Sequence, residues 1–361
     1  MQREDVKPLD GKAVFVTGAT GFIGRALVEA LLAAGARVTV LLRSRHGARA
    51  LGDQGVRVLT GGLGDGAALA RGLAGQAVLF HLAYDVRASG DSNLEAFETL
   101  YSQAVDAGVG RIVHASSIVV YDGWPDADLT EESPISRPGG GPYRAAKMAM
   151  ERRLIDGPLP AAILQPTLVY GPGSALWTDG LADALAAGTV VLPEPEGRCN
   201  AVFVGDVVQA MLRAAMLDDP GRERFIVSGR ETVAWSDLLG GYAAIIGAGG
   251  LRHVPLTDLE ARLGPEPDEA PPAGPSVAAR IGAWGRHLLG RERFESLVRR
   301  LRRRAGGGET WPDRHMLTLY SAQGHCSIAR AQARLGYAPD FTLEAGLAAT
   351  APYLKARHGK G

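Results

Sequence analysis

Val14-Phe15-Val16-Thr17-Gly18-Ala19-Thr20-Gly21-Phe22-Ile23-Gly24 runs from an apolar β-rich segment through three glycines into a helical pattern. A pyrophosphate at such a turn needs backbone N–H groups aimed at it and no side chain in between. Gly18 would permit the turn, Gly21 the close approach and Gly24 the packing of helix on strand. Thr20, Phe22 and Ile23 lie in the same turn and join the candidate cofactor contacts. An ordinary strand-to-helix loop is the competing reading of the glycines, because 48 of the 361 residues are glycine, about twice the usual ~7%.

Working outward, Ala13–Thr17, Val38–Leu42, Val56–Leu59, Ala77–Leu82 and Arg111–Ser116 are short, apolar and β-branched, and read as buried strands. Helical stretches such as Arg25–Ala34 and Asn93–Ala107 separate them. This alternation predicts an α/β fold with a doubly wound parallel sheet and a smaller C-terminal substrate-binding lobe. The expected division gives residues 10–170, plus about 198–228, to the dinucleotide-binding domain. Residues 171–197 and 229–361 go to the lobe, with ligand lying in the crevice between the two.

A dinucleotide site usually carries an acid at the end of the second strand, where it binds the ribose 2′-hydroxyl. Here that strand ends Leu41-Leu42-Arg43-Ser44-Arg45, and no Asp or Glu follows until Asp53. A guanidinium pairs with a 2′-phosphate where a carboxylate would repel it, so Arg43 predicts NADP, with NAD the alternative. The competing reading makes Arg43 a solvated turn residue.

Tyr143-Arg144-Ala145-Ala146-Lys147 places a phenol and an ammonium four residues apart, on one face of a helix. A neighbouring ammonium lowers a phenol pKa towards the range of a working acid/base. Of the 39 basic residues only five are lysines, and between Lys12 and Lys355 the sole lysine is Lys147. A compact, movable charge is what a ribose-binding position asks of a side chain. Ile112-Val113-His114-Ala115-Ser116-Ser117 brings two hydroxyls to the end of a strand, where they are expected to face the cofactor crevice.

Lys plus Arg equals Asp plus Glu at 39 each, which argues against a nucleic-acid binder working by bulk charge. Cys199 and Cys326 are the only cysteines, so neither a disulfide framework nor a cysteine-based zinc site is expected, and no metal is predicted. Met1–Lys12 has no signal-like apolar run, and no apolar stretch reaches the ~18 residues of a membrane span. A cytoplasmic protein is the resulting expectation.

These motifs, with Phe80-His81-Leu82-Ala83, Asn93, Asp106-Ala107-Gly108-Val109, Ser116–Tyr121, Glu151, Gln165–Gly173, Asn200–Asp206 and Ala333–Pro339 in this order, resemble the extended short-chain dehydrogenase/reductase family. The likeness is to its NAD(P)-dependent, nucleotide-sugar epimerase/dehydratase branch and covers most of the chain outside about 255–315. It implies Ser117 as the catalytic serine, Tyr143 as acid/base, and Lys147 as the residue that binds the nicotinamide ribose and tunes the tyrosine. It adds Leu82, Ala83, Ser116, Tyr143, Pro166 and Thr167 to the cofactor contacts, and implies substrate contacts from Ser117, Tyr143, Arg198 and Asn200. A homodimer is implied as well.

Several positions depart from the family pattern. The Asp-Glu pair of the dehydratases is Ile118 and Val119 here, which move no proton, so dehydratase activity is disfavoured. The acid near the adenine is Gly62, and the diphosphate-binding Arg is Cys199, with Arg198 one step away. Arg43 resembles instead the NADP-using dihydroflavonol-reductase and 3β-hydroxysteroid-dehydrogenase branches. The expected activity is therefore hydride transfer to or from a secondary alcohol or ketone, with a nucleotide-linked sugar as the primary small-molecule substrate. An NADP-dependent ketone reductase is the runner-up, and a catalytically silent nucleotide-sensing scaffold is the reading from another class.

Two further segments stand out. Residues 265–275 are Pro-rich and read as a linker. Arg280–Arg304 holds nine arginines and two glutamates around apolar residues at helical spacing. It reads as a basic amphipathic segment for an anionic membrane surface or an acidic partner, or as a surface helix with solvated arginines.

Overall fold

A computed structural model describes residues 9–44, 48–219, 221–264 and 308–359. The 265–275 linker and the 280–304 basic segment lie outside the described residues. In chain order the first elements are β1 (Ala13–Thr17), α1 (Phe22–Ala33), β2 (Arg37–Leu42), α2 (Ala48–Gly52), β3 (Arg57–Thr60) and α3 (Gly66–Leu73). Next come β4 (Val78–His81), α4 (Gly90–Asp106), β5 (Arg111–Ala115), α5 (Gly141–Asp156), β6 (Ala161–Pro166) and β7 (Leu168–Tyr170). The chain continues through α6 (Leu181–Ala187), β8 (Gly188–Glu194), β9 (Arg198–Cys199), β10 (Ala201–Phe203), α7 (Val204–Met216) and β11 (Arg222–Val227).

Among the described residues the main sheet has seven strands in the order β11-β6-β5-β4-β1-β2-β3. Every pairing in it is parallel. The chain moves outward from β1 to β3, then returns beside β1 as β4 and moves out the other way. That reversal opens a crevice beyond the carboxyl ends of β1 and β4, where ligands of such sheets bind. It is the Rossmann-like doubly wound fold that the glycine turn and the strand alternation predict.

The strands read as continuous apolar runs because both faces of the sheet are covered. Leu69 and Leu73 of α3, Phe97, Leu100 and Tyr101 of α4, and Met150 and Leu154 of α5 pack on Phe15, Leu79, Ile112 and Ile163 of the strands. On the opposite face α1 packs against α7. Gly72 of α3 has no room for a side chain, since a Cβ there would lie 2.9 Å from Leu59 and against the Phe15 ring.

The chain forms two compact units. The first comprises residues 9–174, 200–232 and 323–346, and holds the seven-stranded sheet. Of the described residues the second comprises 175–199, 233–264, 308–322 and 347–359, and contains β8, paired in parallel with Gly250–Pro255 and with Gly308–Thr310. One part of the sequence-based division is corrected here: residues 323–346 belong to the first unit, not to the lobe. Leu129 bridges Cys326, its N–H donating to His325 O while the Ser327 N–H donates to Leu129 O. Tyr337, 1% exposed, donates its hydroxyl to Ser228 O. Local periodicity reports on neither link, because both join residues more than 100 positions apart.

Candidate active site

The glycine turn is built by close approach. Gly18 has φ of +74°, and a Cβ on it would lie 2.8 Å from the Ala83 nitrogen and 2.9 Å from the Leu82 carbonyl carbon. A Cβ on Gly24 would strike the Gly18 carbonyl oxygen and lie 2.8 Å from its carbon. Gly21 caps α1 without a side-chain bond, leaving the N–H groups of the first turn unspent by a cap. Thr20 is exposed, and Phe22 and Ile23 are half-buried. The cradle therefore fits a phosphate group, as a bulkier residue at 18, 21 or 24 would not.

Beneath this turn lies a buried polar seam. The Thr17 hydroxyl accepts from the Leu82 and Ala83 N–H groups at 3.3 Å each and lies 2.8 Å from Nδ1 of His81. His81 stacks on His114 with ring centroids 5.1 Å apart. Nε2 of His81 and both ring nitrogens of His114 have no hydrogen-bond partner among the described residues. Burial, with the charge of Lys147 adding to it, pulls His81 down to about 3, and the same causes with His81 itself hold His114 well below the usual value.

Tyr143 and Lys147 do share one face of α5. Lys147 is 3% exposed and donates to Ala115 O at 2.6 Å. Its ammonium sits 5.9 Å from the centre of the Tyr143 ring and 5.3 Å from that of Tyr84. Burial lowers Lys147 to about 8, with the Glu151 carboxylate working against the shift. Tyr143 is exposed at 38% and meets Tyr84 edge to face, 4.9 Å between centroids. Desolvation raises its phenol above the ordinary value while the facing Ser117 hydroxyl pulls the other way.

The two serines part company. Ser117, half-buried, caps the short turn Ile118–Val120 by accepting from the Val119 N–H at 3.4 Å. Ser116 is 5% exposed and donates its hydroxyl to Glu151 instead of facing the crevice. This corrects the expectation that both hydroxyls face the cofactor. Glu151, with no exposure, also accepts from Gln165 at 3.0 and 3.1 Å and from Arg224 at 2.6 Å. Gln165 in turn accepts from the Tyr121 hydroxyl at 2.7 Å.

Arg144, inside the Tyr143–Lys147 stretch, clamps the Ser117 turn onto α5. It donates to the carbonyls of Val119 and Val120 at 2.9 and 3.0 Å, to Arg137 O and Gly139 O, and to Asp122. The loop between Tyr121 and Tyr143 is held at its base through this residue.

The remaining candidates are more scattered. Pro166 and Thr167 stand at the carboxyl end of β6, with the Thr167 hydroxyl 3.1 Å from that of Ser228. Asn200 is buried and spends its amide on Gly324 O at 3.0 Å. Arg198 is exposed and belongs to the second unit, as does Cys199, which has no exposure. Arg43 at the end of β2 is ion-paired with Asp85. Sequence reading singled out none of Tyr84, Asp85, Arg144 and Arg224. The position of Tyr84 and Asp85 just past the end of β4 is the signal that could have marked them.

The sequence profile described as the NAD dependent epimerase/dehydratase family matches residues 14–227, from β1 through β11. The chain belongs to this family. A 4-hydroxy-2-methyl-3-oxo-4-farnesyl-3,4-dihydroquinoline-1-oxide ketoreductase of Stigmatella aurantiaca is 31% identical over 228 residues, covering 60% of this chain and 68% of the relative. A UDP-glucose 4-epimerase of Mycolicibacterium smegmatis is 32% identical over 298 residues, covering 71% of this chain and 93% of the relative. Among solved structures, gox2253 superposes with a TM-score of 0.69 at 24% identity, covering 97% of this chain and 99% of that one. The family is thus NAD-dependent, with reductases and a nucleotide-sugar epimerase among the relatives of this chain.

Proposed function

We propose that this chain is a reductase that uses NADP(H) to convert a ketone on an apolar skeleton into a secondary alcohol. The observation that carries the choice within the family is Cys199, a side chain with no exposure at the position where the family resemblance implies a diphosphate-binding arginine. A nucleotide-linked sugar offers two phosphates and would leave them without that partner. The aromatic edge of Tyr84 on Tyr143, with Val86 two residues on and 83% exposed, favours an apolar substrate instead. The Stigmatella aurantiaca ketoreductase supports the reading.

Gly18, Thr20, Gly21, Phe22, Ile23 and Gly24 would hold the dinucleotide phosphates, with Leu82, Ala83, Lys147, Pro166 and Thr167 around the rest of it and Arg43 at a 2′-phosphate. Bound NADPH supplies a hydride to the carbonyl carbon. Tyr143, its phenol raised by burial, is protonated at neutral pH and gives that proton to the carbonyl oxygen. Ser117 donates a hydrogen bond to the same oxygen, orienting it towards Tyr143. The Lys147 ammonium stabilises the phenolate that remains until solvent, which reaches the exposed ring, returns a proton. Ile118 and Val119 transfer no proton, so no elimination of water accompanies the step.

A second reading, an epimerase of a nucleotide-linked sugar, is favoured by the Mycolicibacterium smegmatis relative, 93% of whose length is matched. The two are separated by incubating the full chain with NADPH and a panel of cyclic and 3-oxoacyl ketones, and in parallel with UDP-glucose and NAD. Alcohol formed in step with NADPH consumed is the expected result. Interconversion of the sugar with no net change in nucleotide would overturn it.

A further inference from the structure

The missing acid at the end of β2 is supplied from elsewhere in space. Strands β2 and β4 flank β1, so their ends stand roughly 10 Å apart at ~4.8 Å per strand. The Arg43 guanidinium nevertheless pairs with the Asp85 carboxylate, four residues past the end of β4. The pair therefore spans the carboxyl end of β1, where the glycine turn begins.

The two partners are not equally fixed. Asp85 accepts from the Arg87 N–H at 3.0 Å through its carboxylate, and its own N–H donates to Asn93 Oδ1 at 2.8 Å. Nδ2 of Asn93, a 9%-exposed side chain, returns bonds to Asp85 O at 3.0 Å and Ser89 O at 2.9 Å. The Arg43 side chain is 69% exposed and has Asp85 as its partner. The anion is anchored and the cation is free to swing.

Resting on the reading of this site as a dinucleotide site, we propose that Asp85 is a specificity-determining residue that competes with the 2′-phosphate of NADP(H) for Arg43. The phosphate must draw the guanidinium off an existing carboxylate, so the preference given by Arg43 is held down. The ribose hydroxyl of NAD(H) offers no charge to Arg43, leaves the pair closed, and can itself donate to the Asp85 carboxylate. Asp85 thus narrows the gap between the two cofactors from both sides.

The test is equilibrium binding of NADPH and NADH, without substrate, to the full chain and to Asp85→Asn, Arg43→Ala and the double variant, followed by nucleotide fluorescence. Asp85→Asn is expected to tighten NADPH about three- to fivefold, the range of an exposed ion pair, and to leave NADH unchanged or weaker. Arg43→Ala is expected to weaken NADPH, and adding Asp85→Asn to it should then change NADPH binding by less than twofold. Equal shifts for both nucleotides, or no shift in Asp85→Asn, would overturn the proposal. So would an Asp85→Asn effect of full size in the Arg43→Ala background, which would make Asp85 a distant repulsive charge. Failure of the wild-type chain to bind either nucleotide would refute the proposed function itself and the inference with it.

Discussion

Replacing Glu151 by Gln tests the connection between the buried acid and the Lys147 charge. The carboxylate is buried and receives the Ser116 hydroxyl, the Gln165 amide on both oxygens and the Arg224 guanidinium. An amide of the same shape keeps one acceptor and turns the other into a donor. Oriented to keep Ser116, it presents its NH2 to Nε of Arg224 and to Nε2 of Gln165, donor against donor. Oriented the other way, it keeps Arg224 and donates to the Ser116 hydroxyl, which can turn to accept, but it then sets its NH2 against Nε2 of Gln165. Losing one charge-assisted bond costs about 1.5–3 kcal/mol, and removing one partner of a buried ion pair about 3–5 kcal/mol. Arg224 is 26% exposed and water can reach it, so the expected loss is about 2–4 kcal/mol, at the lower end of those ranges.

A second consequence separates this from a merely structural defect. Glu151 favours the Lys147 ammonium, which burial has already brought down to about 8. Without that negative charge the ammonium is less stable and gives up its proton at lower pH. Activity that needs charged Lys147 is present below its pKa and falls as pH rises through it. The alkaline limb of kcat/KM in Glu151→Gln should therefore move to lower pH, while stability falls in a urea titration. An alkaline limb that stays where the wild type has it, in a variant destabilised by less than 1 kcal/mol, would refute the account of the network.

Tyr143→Phe should lower ketone turnover by about 10²–10⁴, the usual worth of a positioned proton donor, with nucleotide binding within about twofold of wild type. A variant that retains a tenth of the activity would remove Tyr143 from the proposed role. Gly24→Ala places a Cβ against the Gly18 carbonyl and 3.0 Å from Ala19 Cα, neither of which can yield without moving α1. A loss of about 1–3 kcal/mol in stability and at least about a tenfold loss in NADPH affinity are expected by urea unfolding and calorimetric titration, and unchanged affinity would contradict the cradle. His81 and His114 are held neutral in the fold, their pKa values below those of free imidazole. The unfolded chain binds the extra protons, so stability is full above the unfolded pKa of about 6.5 and falls as pH drops below it, at about 1.4 kcal/mol per unit for each ring. His114→Phe should reduce the stability lost between pH 7 and pH 5 by about 2 kcal/mol, and an unaltered pH dependence in urea unfolding would show that the ring does not stay neutral.

What was legible in the sequence is what repeats locally. The strand Ala13–Thr17 coincides with β1, because five apolar or β-branched residues ending in Gly18 leave little choice of boundary. Helix α1 starts at Phe22 rather than Arg25, because its first turn carries neither a side-chain cap nor an acidic residue to announce it. Tyr143 and Lys147 were readable for the same reason, a fixed spacing within one helix. Ser116 was misplaced because neighbouring residues point opposite ways and sequence does not say which way comes first. The Ser116–Glu151–Gln165–Arg224 network and the Leu129–Cys326 bridge join separate parts of the chain, and single-sequence periodicity carries no information about them.

The same limit explains why Arg43 alone was an incomplete guide to the cofactor. An arginine at the end of β2 tells its charge but not the company it keeps, and the strand order brings a carboxylate from beyond β4 to meet it. Around this crevice three charged groups are each set against a second one: Arg43 against Asp85 from beyond β4, Lys147 against Glu151 one turn further along α5, and Arg144 against Asp122 of the loop that precedes α5. Each pairing tempers a charge that sequence presents as free. The chemistry of the site therefore follows from the partners that the doubly wound sheet assembles at its carboxyl edge, and substitutions at those partners, more than at the family's motif residues, are where this chain's own properties should be sought.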